Sequence, residues 1–125
     1  MADAGEAHVS DLSDLIRASR AASRLFRLIE SLRSRYGVDL DEVMVYFAVG
    51  RLTYDRSQSM MMIRPTNIAS LSDFLGIPRE TLRRKLLRLE ERELVQRSSA
   101  GFAVRDPAVW RRLAEVAVDD KADAE

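Results

Sequence analysis

Apolar residues recur three and four positions apart from residue 10 to about residue 36, which predicts a long amphipathic helix. Leu15, Ala22, Leu25, Phe26, Ile29 and Leu32 fall on one face, and Arg17, Arg20, Arg24 and Arg27 on another, read as the solvated side. Ser10 is placed to cap this helix, with Asp11 and Asp14 in its first turn and Gly37 as its stop. Such a helix is on the order of 35–40 Å long at ~1.5 Å per residue. An apolar stripe of that length asks for a partner helix, so a homodimer through the N-terminal helix is expected. Asp39 and Glu42 have capping-box spacing, and the helix they open, to about Tyr54, is apolar nearly all round (Val43, Met44, Val45, Tyr46, Phe47, Ala48, Val49, Leu52). That pattern belongs in a core.

The pattern changes after a polar loop, Asp55 to Ser59. Met61 to Arg64 reads as a short strand ended by Pro65. Asn67 caps a helix ending at Leu75, with Ile68, Leu71, Phe74 and Leu75 as its buried stripe. Across Gly76-Ile77 a second helix begins near Pro78 and runs to about Glu93, its inner face carrying Leu82, Leu86 and Leu89. Leu94–Arg97 and Phe102–Arg105 read as two strands of a hairpin around Ser98-Ser99-Ala100-Gly101. Asp106-Pro107 opens a last helix through Val109, Trp110 and Leu113.

The formal net charge is zero, but the charges are unevenly spread. Residues 1–15 carry four acids and no Lys or Arg, whereas residues 16–36 carry six arginines against Glu30. Residues 37–63 hold four acids and two bases, residues 64–112 eleven bases and six acids, and the stretch from Leu113 five acids against Lys121. Two internal basic segments between acidic ends are compatible with a polyanionic partner, because local fields rather than totals steer association. There is no cysteine, and the single histidine, His8, has no partner histidine. Disulfides, thiolate metal sites and cysteine nucleophiles are thereby excluded, and neither a metal nor a cofactor is expected. No apolar run is long enough for a bilayer and the acidic start has no secretory pattern, so the expectation is a cytoplasmic protein. No Gly-rich phosphate loop or nucleophile–base set is present, so no enzymatic activity is expected.

Two helices joined by a Gly-containing turn form a unit whose second helix can enter a DNA major groove. Gly76, Arg79-Glu80-Thr81, Leu82, Leu86 and Leu89-Glu90, followed by Leu94-Val95 and a Gly-containing hairpin, carry a specific likeness. On these positions, residues from about Pro65 to Arg105 resemble the winged helix-turn-helix domain of the catabolite activator and fumarate–nitrate regulators. The helical surroundings resemble the dimer layout of the multiple-antibiotic-resistance regulators instead, and the cyclic-nucleotide β-roll has no counterpart. Two positions depart from the pattern: Pro78 stands where a Ser or Thr caps the second helix, and Lys85 where a hydrophobe is usual.

The resemblance implies a mainly α fold, a winged helix-turn-helix with a long N-terminal helix and a small β-hairpin wing. It divides the chain into a disordered acidic leader (1–9), a helical dimerisation and core region (10–60), the DNA-binding region (61–105), a C-terminal helix (106–118) and an acidic tail (119–125). It implies a transcriptional regulator on double-stranded DNA, nucleoid-associated when bound. Base reading falls to Arg79, Glu80 and Arg84: arginine can pair with guanine O6 and N7, and a carboxylate can accept from cytosine N4. Thr81, Arg83, Lys85 and Arg88 would address phosphates or groove edges, with Asn67 and Ser70 at the first helix start and Arg97, Ser98 and Ser99 in the wing. The bland alternative for the second helix is a solvated face with a Glu80–Arg84 ion pair. The competing function is a protein-interaction module, an antirepressor or adaptor whose acidic ends cover its own basic helix. A lesser reading lets Met44, Tyr46, Phe47 and Met60-Met61-Met62 line a pocket for a small-molecule effector, against their use as core or interface.

Overall fold

A computed structural model describes residues 9–54 and 64–118. They form α1 (Val9–Tyr36), α2 (Leu40–Thr53), α3 (Ile68–Leu75), α4 (Arg79–Glu91), β1 (Val95–Ser98), β2 (Gly101–Val104), α5 (Pro107–Glu115) and a closing 3-10 turn, Val116–Val118. The protein is mainly helical with one two-stranded antiparallel sheet. The expected leader apart from Val9, the expected tail, and Met60, Met61, Met62 and Ile63 lie outside the described residues.

α2 is the central element, touching α1, α3, α4, α5 and β2. Its Val43, Val45, Tyr46, Ala48 and Val49 are buried against Leu28 and Leu32 of α1, Leu71 of α3, and Leu82, Leu86 and Leu89 of α4. Leu94, Val95, Phe102, Val104 and Leu113 complete the same core. Each fully buried leucine contributes about 1.5–3 kcal/mol relative to exposure. Gly50 lets α5 close on α2: a Cβ there would lie 2.0 Å from Trp110 Cε2. The indole therefore rests on helix backbone, with Tyr54 and Phe47 beside it at ring-centroid distances of 5.4 and 6.1 Å. Phe47 also meets Tyr46 edge to face, so these two expected pocket residues pack on each other, and Met44 is exposed. Burial pushes the Tyr46 and Tyr54 hydroxyls above the ordinary tyrosine value.

The helix ends follow from named side chains. Asp39 Oδ1 accepts from the Glu42 N–H at 2.8 Å, and Glu42 Oε1 accepts from the Asp39 N–H at 2.9 Å, completing the capping box. Asn67 Oδ1 accepts from the Ser70 N–H at 2.8 Å to start α3. Gly76 ends α3 with φ +69, a conformation that favours glycine, and its N–H reaches Ser72 O. The Ser72 hydroxyl donates to Ile77 O at 2.7 Å and braces the turn into α4. Asp106 Oδ1 accepts from the Ala108 and Val109 N–H groups, with Pro107 in the first turn of α5.

Several expectations are corrected. α1 begins at Val9, one residue ahead of the expected cap Ser10. Its apolar stripe is not one surface: Leu32 is buried and Ile29 half-buried, but Leu15, Ala22, Leu25 and Phe26 are exposed. Arg24, assigned to the solvated side, is buried, its Nε donating to Ala117 O at 2.9 Å. Phe74 is exposed, because an eight-residue helix buries only Leu71 fully. Arg64 lies in no strand; Thr66, just beyond Pro65, instead forms a single antiparallel bridge to Phe102. Gly101 (φ +135) permits that bridge, since a Cβ would lie 2.4 Å from Thr66 O. α4 stops at Glu91 because Glu93 turns left-handed (φ 60), with Glu93 N–H bonded to Glu90 O and Leu94 N–H to Leu89 O. This double closure is a Schellman ending with glutamate where glycine is usual.

Candidate nucleic-acid interface

The sequence of α4 divides it sharply. Leu82, Leu86 and Leu89 are wholly buried, and the residues projecting opposite them are Glu80, Arg84, Leu87, Arg88 and Glu91. Arg79, Glu80, Arg83 and Arg84, the first two turns, are all exposed. Arg84, Lys85, Leu87, Arg88 and Glu91 line a shallow groove along the helix. The core thus holds this helix from behind while its polar side faces solvent.

The cations on that side are not equivalent. Arg83 grips Glu80 through Nη2 to Oε1 at 2.6 Å and Nε to Oε2 at 3.3 Å, an i,i+3 pair where the bland alternative had Glu80 with Arg84. This contact to Arg83, aided by the charge of Arg84, holds the Glu80 carboxyl below its ordinary pKa. The ion pair thereby orients the carboxylate on the exposed face. Lys85 Nζ donates to Asp39 Oδ2 at 2.6 Å and is only 19% exposed. Burial raises the Asp39 pKa, but the bonds from Lys85 and the Glu42 N–H outweigh it, and the net shift is downward. Arg88 Nε lies 2.8 Å from Oε2 of the fully buried Glu42. That oxygen accepts no well-aligned hydrogen bond, so the attraction is chiefly between charges. Arg79 and Arg84 have no ion pair among the described residues.

Thr81 is half-buried on the same helix. Asn67 and Ser70 are exposed at the start of α3, but the Ser70 N–H is already taken by the Asn67 side chain, leaving the hydroxyl toward solvent. In the hairpin, Ser98 pairs with Gly101, which leaves Ser99-Ala100 as a two-residue turn. Ser98 Oγ accepts from the Ala100 N–H at 3.2 Å, and Arg97 Nε lies 3.6 Å from Glu90 Oε2, tying the hairpin to α4. The structure therefore brings Arg79, Glu80, Arg83 and Arg84 together on one exposed face. It turns Lys85 and Arg88 toward the start of α2 and keeps Arg97 beside Glu90.

Asp39 and Glu42 were legible as caps but not as counter-ions of α4. The available signal was the acidic excess of residues 37–63 beside the basic 64–112. Arg92, whose Nε donates to Tyr36 O at 2.9 Å and fastens the end of α4 to α1, gave no signal at all. Among the described residues no set of three or more His, Asp or Glu side chains is placed to hold a metal, and no helix is long and apolar enough to cross a membrane. The class that the fold defines is a mainly helical protein with a small antiparallel sheet. No family model, no curated protein and no solved structure matches the chain.

Proposed function

We propose that the protein is a winged helix-turn-helix transcriptional regulator that binds double-stranded DNA sequence-specifically as a homodimer. In this reading α3 and α4 are the paired helices, α4 lies in the major groove and the β1–β2 hairpin is the wing. The observation that carries it is the exposed row Arg79, Glu80, Arg83 and Arg84 on a helix fixed from behind by three buried leucines. Arg79 and Arg84 are available for guanine edges, and Glu80, oriented by Arg83, for a cytosine amine. Ser70, Thr81, Ser98 and Ser99 then address the backbone, and two copies set their α4 helices about 34 Å apart along the duplex. The protein would act in the cytoplasm, on the nucleoid.

Selection of duplexes from a random pool, followed by titration at two salt concentrations, tests this reading. A regulator of this kind retains a consensus sequence, and its affinity falls steeply with salt. Arg84→Ala is the clean probe, because Arg84 has no ion pair to lose among the described residues. It weakens the selected site by at least ~1 kcal/mol while leaving the fold unchanged. Arg88→Ala is less clean, since it strands the buried Glu42. Equal affinity of wild type and Arg84→Ala would remove Arg84 from the readout.

A second reading has its own support. Arg83, Lys85 and Arg88 are already matched by Glu80, Asp39 and Glu42, which leaves few uncompensated cations on α4. An adaptor that binds another protein through this face would show no duplex retention at any salt concentration.

A further inference from the structure

Every residue of α1 from Asp11 to Ser23 is exposed, and Arg24 is the first side chain of the helix that is buried among the described residues. At ~1.5 Å per residue its 28 residues span about 42 Å, longer than the ~30 Å width of a small domain. A helical arm of this kind is marginal by itself in water. Leu12, Leu15, Ile16, Ser19, Ala22, Ser23 and Phe26 fall within an arc of about 120° at ~100° per residue. That arc lies roughly opposite Leu28 and Leu32, the residues α1 buries in its own core. Leu12, Leu15, Ile16 and Phe26 are between 51% and 69% exposed. The described core lies on the other side of α1.

We infer that a second copy of this chain covers the outward stripe of α1, its own α1 running antiparallel, with the two-fold axis beside Ser19. Three features of the stripe fit that occupant. Its sizes are complementary under reversal about residue 19: Leu15 of one copy comes level with Ser23 of the other and Ile16 with Ala22, large against small, with Ser19 at the axis. Reversal therefore sets Leu12 of one copy beside Phe26 of the other, and the small centre lets the axes approach. The charges agree with reversal too. The arm carries Asp11 near its start and Arg27 just beyond the stripe, so antiparallel copies bring Asp11 of one level with Arg27 of the other, whereas parallel copies bring like level with like. The stripe also lies on the side of α1 away from the body, so pairing there leaves every intramolecular contact in place. The inference deepens the dimer half of the reading above and is independent of what α4 binds.

The chain contains no cysteine, so single cysteines report the geometry directly. In an antiparallel pair Ser19→Cys forms a disulfide-linked dimer under mild oxidation. Leu12→Cys and Phe26→Cys do not, because their equivalents lie about 21 Å apart along the axis. Cross-linking of all three overturns the orientation, and of none the interface. Light scattering gives twice 14.2 kDa for the wild type and 14.2 kDa for Ile16→Glu/Phe26→Glu, whose helical circular dichroism falls by no more than the share of the unsupported arm. A wild-type mass of 14.2 kDa, or a double variant that stays dimeric, also overturns it. Duplex binding is scored separately: a dimer that ignores every duplex sinks the DNA reading and leaves this interface standing.

Discussion

In α4 the leucines at 82, 86 and 89 are wholly buried, and the arginines opposite them are exposed or paired with acids of the same chain. In α1 the relation is reversed: Arg24 is buried against the carbonyl of Ala117 while Leu12, Leu15, Ile16 and Phe26 face solvent. Both are arginine-rich amphipathic helices in the sequence. They differ in where the chain supplies a partner surface. α4 follows α3 across a tight glycine turn and is returned by a hairpin, so α2 is forced against its apolar face. α1 is joined to the body only through its last turns and the short link to α2, which leaves its first half outside. A helical period states that a face is apolar; only the connections state what that face can reach.

The largest effect that tests this contrast is a pair of truncations. Leu86→Ala leaves a cavity in the closed core and lowers stability by about 2–5 kcal/mol, equally at low and high protein concentration in urea unfolding. Phe26→Ala removes a side chain that touches little of its own chain. Its intramolecular cost is within about 0.5 kcal/mol, and any further loss grows with protein concentration because it belongs to association. Equal losses for both variants in dilute protein would mean that the α1 stripe is part of the monomer core. Next in size is Gly50→Ala, which thrusts a methyl group into the Trp110 indole and costs about 1–3 kcal/mol. Trp110 is the single tryptophan, so its emission reports the displacement directly. An unchanged spectrum and midpoint would show that α5 gives way freely, and the closed region would then be smaller than the core implies.

How far the sequence could be read follows the same division. The capping box of Asp39 and Glu42, the Asn67 cap, the Gly76 turn, the buried leucines of α4 and the Asp106-Pro107 start of α5 were all legible, because each is decided by residues within four positions. The hairpin was legible too, though each strand is displaced by one residue toward the turn. What was not legible depends on distant residues. Thr66 bridging Phe102, Lys85 reaching Asp39 across 46 positions, and Arg24 finding Ala117 across 93 leave no periodic trace. The exposed row on α4 was visible as a pattern. Which of its cations are already matched was not, since Asp39 and Glu42 read first as caps.

A smaller effect separates those two duties of Asp39. Asparagine caps about as well as aspartate, so Asp39→Asn keeps the start of α2 and loses only the ion pair, at a cost of about 0.5 kcal/mol for this partly exposed contact. Asp39→Ala loses the cap as well, about 1 kcal/mol more. The sign with pH is fixed by the downward shift of the Asp39 pKa from its ordinary 3.8. The ion-pair contribution is present above 3.8 and disappears as pH falls through the lower folded value. Wild type and Asp39→Asn therefore differ at neutral pH and converge in acid. A difference that persists in acid would assign the loss to something other than the carboxylate.

The smallest effect concerns how α4 ends. Glu93 holds φ 60 between two backbone bonds that close the helix, a conformation costing a residue with a side chain about 1 kcal/mol. Its carboxylate lies 3.8 Å from Arg105 with both side chains largely exposed, a contact worth little. Glycine adopts that φ without strain but gives back part of the gain through the freedom of the unfolded chain. Glu93→Gly therefore raises stability by a net of about 0.5 kcal/mol, read as a higher urea midpoint with unchanged slope. The direction matters more than the size. Because the ending tightens a region already closed by its own contacts, the gain is the same at every protein concentration. A loss of stability would mean that the Arg105 contact, and not the backbone closure, fixes where α4 stops and the hairpin begins.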